Sequence, residues 1–145
     1  MVEINHRYLK DNDNEIYYPI THIDAVQGIG DTGWVDFDFI PEVDKNTRFG
    51  DDGFKCGLKE VRFGDVRIKS IRLNMSNIPH NQQIALIPTG FITKNIYFNA
   101  STDGNSLPIR VEMYTSGELK IYVHNNDRDK PQGDIWIYQQ FTWLE

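Results

Sequence analysis

Between residues 34 and 143 the chain alternates apolar and polar side chains in short runs. Val66-Arg67-Ile68-Lys69, Ile109-Arg110-Val111-Glu112-Met113 and Leu119-Lys120-Ile121-Tyr122-Val123 are the clearest. A period of two sends every second side chain to one face, the signature of a half-buried strand. Gly, Pro, Asn and Asp separate the runs and supply the turns. The pattern predicts an all-β fold, an antiparallel β-sandwich of jelly-roll-like type. A fold of this kind offers a binding surface more readily than a deep catalytic pocket.

The elements follow from the same pattern. Residues 34–40 read as a strand with Val35, Phe37 and Phe39 on one face and Trp34, Asp36 and Asp38 on the other. Residues 41–53 are charged and rich in turn formers, so they read as a loop. Strands are expected at 54–63 and 66–75, hinged on Gly64-Asp65. Within the second, Val66 and Ile68 share one parity while Ile71, Leu73 and Met75 share the other, which predicts a β-bulge near Ser70. Further strands are expected at 82–88, 94–100, 107–115, 118–125 and 134–144, with Ser116-Gly117 closing a second hairpin. Residues 101–106 and 126–133 read as polar loops.

Ahead of this block lies a different stretch. Residues 2–9 read as a strand, Asp11-Asn12-Asp13-Asn14 as a turn and 15–20 as an extended segment, together a short N-terminal hairpin appendage. Residues 21–28 have a faint helical look, and 28–33, with three glycines, read as a flexible break. The expected division is an N-terminal assembly segment, 1–33, and a sandwich head, 34–145.

Composition narrows the class. The 145 residues fit one compact domain, and 12% are aromatic, so a few large rings supply much of the buried area. A net charge of −6 argues against a nucleic-acid partner. The single cysteine, Cys56, cannot close an intramolecular disulfide. No signal peptide and no run of about 20 apolar residues is visible, so membrane insertion is not expected and folding in the cytoplasm is.

The histidines His6, His22, His80 and His124 show no metal-ligand spacing, and no metal or cofactor is expected. His22 and Asp24 would share a strand face, which suits a proton relay or, more simply, a local hydrogen bond. Asp36 and Asp38 would lie roughly 6.5–7 Å apart, a spacing that fits a glycosidase pair but reads first as a solvated outer face. The aromatic residues Trp34, Trp136, Tyr138 and Trp143 are the better lead. Flat rings stack on sugar faces, and Asn, Asp and His side chains bond to hydroxyls. Trp34, Asp36, Asp38, His124, Asn125, Asn126, Trp136 and Tyr138 are therefore the candidate saccharide-binding residues. The competing reading places these rings in the core or at a subunit interface.

Specific phrases add a resemblance. Tyr18-Pro19-Ile20-Thr21-His22-Ile23-Asp24-Ala25-Val26 is similar to the Tyr-Pro-x-Thr-His-x-x-Ala-Val phrase that precedes a small C-terminal β-sandwich in tail proteins of phages of Gram-positive bacteria. Gly33-Trp34, Cys56-Gly57-Leu58-Lys59-Glu60-Val61, Gly117-Glu118-Leu119-Lys120-Ile121 and the Trp/Tyr-rich last strand continue the likeness. Ile84-Ala85-Leu86-Ile87-Pro88-Thr89-Gly90-Phe91 resembles that family's Leu-Pro-x-Gly-Phe/Tyr step, departing from it at Ile87. The resemblance implies a receptor-binding or baseplate protein of the virion, assembled in the host cytoplasm and lacking the long shaft of larger fibres. It would be a small gene product or an excised domain. Such a protein is a homotrimer that contacts other tail proteins and host cell-wall polysaccharide, and is not an enzyme. In this reading Tyr17, Tyr18, Pro19 and His22 belong to the oligomer interface. Two rival functions stand beside it: a structural spacer with no ligand, and a polysaccharide-degrading glycosidase.

Overall fold

The computed structural model describes residues 10, 12–16, 28–130 and 135–145. Among the described residues nine strands form two antiparallel sheets packed face to face, so the all-β sandwich stands. The larger sheet contains β1 (Ile29–Asp31), β2 (Asp44–Lys45), β3 (Gly57–Phe63), β4 (Val66–Ser76) and β9 (Trp136–Leu144). Here β4 is the hub: β3, β9 and the short β2 all pair with it, and β1 extends the sheet from β3. The smaller sheet runs in the order β5 (Gln82–Leu86), β8 (Glu118–Tyr122), β7 (Ile109–Met113), β6 (Ile96–Ala100).

The core lies between the sheets and follows from side-chain parity. From β4 it takes Ile71, Leu73 and Met75; from β9, Ile137; from β7, Ile109, Val111 and Met113; from β8, Leu119 and Ile121, all buried. Rings bridge the layers on the β9 side. Phe98 stacks on Phe141 with centroids 4.3 Å apart, and Phe141 stacks on Trp143 at 5.7 Å. Gln139 performs a different task there. Its amide oxygen accepts from the Ser101 N–H at 2.8 Å and its amide nitrogen donates to the Asn99 carbonyl at 3.4 Å. One side chain thus plays the part of a neighbouring peptide unit for the edge of β6.

Four expectations are corrected. There is no bulge near Ser70, because β4 stays in register with β3 and with β9 straight through it. The change of parity has another cause: Lys69 occupies a core-facing position with no exposed surface, while Val66 and Ile68 lie on the outer face. The bulge of this fold falls in β5, between Gln83 and Ala85. Residues 28–33 are not a break throughout, since β1 lies within them and pairs with β3. Residues 41–53 are not all loop, since they contain β2. Residues 34–40 make no continuous strand. They cross the side of the sandwich, touching β3 through a Val35–Leu58 bridge and β5 through a Phe39–Ala85 bridge. Phe37 is buried as expected, whereas Val35 is 47% exposed.

An antiparallel bridge joins Lys10 to Ile16 around a left-handed Asn14, in agreement with the expected turn. The expected strand at 2–9, the helical stretch at 21–27 and the interface residues Tyr17, Tyr18, Pro19 and His22 lie outside the described residues.

Candidate functional site

The candidate residues divide between the two outer faces. On the larger sheet, antiparallel register sends Arg72, Asn74, Tyr138 and Trp136 away from the core. The loop 46–56 folds over them. Asn74, 1% exposed, holds that loop: its Oδ1 accepts from the Arg48 N–H at 2.9 Å, and its Nδ2 donates to the carbonyls of Phe54 (2.7 Å) and Arg48 (3.2 Å). Beneath the loop the rings form a column. The Arg72 guanidinium lies 3.9 Å from the centre of Trp34 and 5.1 Å from that of Phe54. Phe54 stacks on Tyr138 at 4.0 Å, and Phe49 meets the other side of Tyr138 at 4.6 Å. The Tyr138 hydroxyl accepts from the Phe54 N–H at 3.0 Å. Trp136 is covered by Arg48 at 4.4 Å.

Trp34 can approach the sheet because its neighbour is Gly57. A Cβ there would lie 3.3 Å from the indole Cε3. Trp34 and Asp36 border a hollow of about 380 Å³ shared with Asn46, Lys55 and Arg72. Asp36 and Asp38 have no strand face to share, but Lys45 answers both, at 2.6 Å and 4.0 Å.

The larger opening is on the other sheet. An open groove of about 550 Å³ runs along its outer face, bordered by Asn99, Arg110, Tyr122, His124, Asn125 and Arg128 among others. Register builds its floor. Arg110 stands directly opposite Tyr122 across β7 and β8, and directly opposite Asn99 across β6 and β7. Arg110 is fixed from two sides: its Nε donates to Glu112 at 2.6 Å, and its guanidinium lies 4.1 Å over Tyr97. Glu112 in turn accepts a short hydrogen bond from the Tyr114 hydroxyl, which pushes the phenol's pKa up. A second hollow of about 200 Å³ adjoins the first, and Arg110 borders both.

Leu107, Pro108, His124, Asn125 and Arg128 form one wall of the groove, and the polar loops that adjoin them, 101–106 and the described part of 126–133, come together. Asp127, 4% exposed, accepts from the Leu107 N–H at 2.8 Å and pairs with Lys130 at 2.9 Å. Lys130 also donates to the Asn105 carbonyl and to Ser106 Oγ. The Lys130 ammonium and the Leu107 amide hold the Asp127 carboxyl below its ordinary pKa. On this wall His124 Nδ1 accepts from the Asn126 N–H at 3.2 Å, so the neutral ring keeps its proton on Nε2 as a donor. Arg128 has no side-chain partner among the described residues.

Of the eight residues chosen from the sequence, His124 and Asn125 border this groove and Asn126 braces it. Trp136 and Tyr138 are on the larger sheet, Trp34 and Asp36 border the hollow beside it, and Asp38 lies on the crossing segment with them. Arg110, Tyr122, Asn99 and Arg128 were missed. A signal existed for two of them: counting back from the Ser116-Gly117 turn places Arg110 across from Tyr122 on the polar side of the hairpin. Among the described residues no group of three or more His, Cys, Asp or Glu side chains could hold a metal ion.

Comparison of the chain with protein-family models, curated proteins and solved structures finds no match.

Proposed function

We propose that the chain is a non-catalytic, saccharide-binding module of a phage tail or baseplate, and that the groove on the smaller sheet is its binding site. The observation that carries the site is its lining. In a chain of net charge −6, the groove's border has two arginines, a histidine, a tyrosine, three asparagines and no carboxylate. Tyr122 offers a ring for a sugar face, Asn99 and Asn125 offer amides to hydroxyls, and Arg110 and Arg128 suit a sugar bearing an acidic group. The groove is open, which fits a polymer passing along the surface and an affinity per site that is modest. The tail or baseplate setting rests on the resemblance of the sequence phrases alone.

Titration calorimetry with solubilised cell-wall glycopolymer of Gram-positive bacteria tests the site. Arg110→Ala and Tyr122→Ala are each expected to weaken binding at least about tenfold, the loss of one or two good contacts. Trp136→Ala, on the opposite sheet, should leave affinity unchanged. Binding that survives both groove variants removes the proposal for the site. Release of reducing sugar from the polymer would replace the binding module with a hydrolase.

A further inference from the structure

Loop 46–56 covers the outer face of the larger sheet around Asn74. The half around the β3–β4 hairpin is bare and apolar, with Phe63, Val66 and Leu144 exposed. Arg72 stands next to Asn74 along the outward side of β4, and it borders the hollow of about 380 Å³ together with Trp34, Asp36, Asn46, Lys55 and Cys56. Three contacts fix it. Its Nε donates to Gln140 Oε1 at 2.9 Å, and its guanidinium packs on the rings of Trp34 and Phe54. Its two terminal Nη groups have no partner among the described residues.

The rest of the border is short of negative charge. Lys55 is exposed, and its ammonium has no partner among the described residues. Asn46 uses its Oδ1 on the Cys56 N–H at 2.8 Å, which leaves its amide nitrogen as a donor. Among the described residues the border has one carboxylate, Asp36, and Lys45 neutralises it at 2.6 Å. The Cys56 thiol exchanges hydrogen bonds with the Asn74 main chain, and burial pushes its pKa up, so it adds no anion. In a chain of net charge −6 the hollow thus gathers two uncompensated cations and an amide donor.

We propose that this hollow is a second binding site, which takes a small molecule by a single acidic group, a carboxylate or a phosphate. Paired Nη donors in one plane match two oxygens of either group. The rings that hold Arg72 spare the ligand the entropy of ordering that side chain. Lys55 adds a point charge at the rim, where salt screens it. The volume falls within the range of about 300–1,000 Å³ usual for small-molecule sites, so there is room for the body of the ligand beside its acid. The site stands whether or not the groove on the smaller sheet binds saccharide.

Nuclear magnetic resonance of the full 145-residue chain, ¹⁵N-labelled, tests it by titration with inorganic phosphate, glucuronate and glucose up to about 50 mM each. The Trp34 indole N–H and the Asn46 side-chain amide should shift saturably with phosphate, glucuronate or both, with Kd on the order of 1–10 mM, and not with glucose. Which of the two acids binds tells a phosphate ligand from a carboxylate one. Arg72→Gln should weaken binding at least about tenfold. Lys55→Gln changes an exposed position, so it should keep the wild-type circular dichroism spectrum while weakening binding about threefold. Sodium chloride at about 0.5 M should weaken the wild type by a similar factor. Still resonances at Trp34 and Asn46 with both acids, equal shifts with glucose, shifts confined to His124 and Arg128 of the other sheet, or affinity indifferent to Lys55→Gln and to salt would each overturn the proposal.

Discussion

Lys69 stands where the alternation of β4 calls for an apolar side chain. Its neighbours on that side, Ile71, Leu73 and Met75, are all fully buried, and so is Lys69. The ammonium is matched instead of exposed: it donates to the Phe91 carbonyl at 2.6 Å and to Glu145 Oε2 at 2.5 Å, with Glu60 at 3.9 Å. Glu145 also accepts from the Thr93 hydroxyl at 2.6 Å. The group therefore ties the last strand of the larger sheet to the β5–β6 connection of the smaller one. Removing one member of a buried pair strands the other. Lys69→Ala should lower unfolding free energy by about 3 kcal/mol, the low end for such pairs because Glu145 keeps some contact with water. Urea denaturation at neutral pH measures it. Glu145 also sets an acid limit. Burial pushes its carboxyl up, while Lys69, Thr93 and Trp143 bring it net below the ordinary value of 4.5. A lowered folded pKa gives stability that is present above the unfolded value and is lost as pH falls through the folded one. Wild type should lose stability on acidification below about pH 4.5, and Glu145→Gln should be weaker at neutral pH but flatter across that window. Denaturation midpoints taken from pH 6 to pH 3 decide it; equal slopes for the two proteins would refute the assignment.

At the level of elements, the edges and the covering loop explain what the alternation could and could not foretell. Hairpins were readable because their turns are local: Gly64-Asp65 and Ser116-Gly117 fall where expected, and Gly117 has φ +92° with no room for a Cβ, which would come within 2.5 Å of the Ile87 carbonyl. The β9 strand was readable because its residues are strongly β-prone. Three things were not legible, for reasons of tertiary packing. A core-facing lysine imitates a phase slip, so the bulge was expected near Ser70. Residues 34–40 alternate but serve two sheets in turn, a choice made by distant strands. The loop 46–56 has turn-rich composition yet buries a sheet face, because Asn74, 20 residues beyond Phe54 and 26 beyond Arg48, fastens it. The same distance in sequence hid the groove, whose arginines come from β7 and from the loop after β8. Gln139 shows how an element-level device can be tested. If its amide substitutes for a strand at the β6 edge, Gln139→Leu leaves the Ser101 N–H without its acceptor. Amide exchange at Ser101 should then quicken by about tenfold or more, equivalent to a hydrogen bond of about 1.4 kcal/mol. Exchange at Val111, in the centre of the smaller sheet, should not move beyond the global change in stability. Unchanged exchange at Ser101 would mean the amide merely rests on that edge.

The whole molecule has two outer faces with opposite chemistry. The smaller sheet carries the cationic groove; the larger carries the covered half and the bare apolar half. A ligand held in the groove therefore leaves the larger sheet untouched. On a surface coated with cell-wall glycopolymer, Arg110→Ala should be retained at least about tenfold less than wild type, and its calorimetric affinity for a short soluble fragment of that polymer should fall by the same factor, because the change alters the groove itself. Phe63→Ser, on the outer face of the larger sheet, should leave both readouts unchanged. Loss of fragment binding in Phe63→Ser would mean that the apolar face belongs to the ligand site.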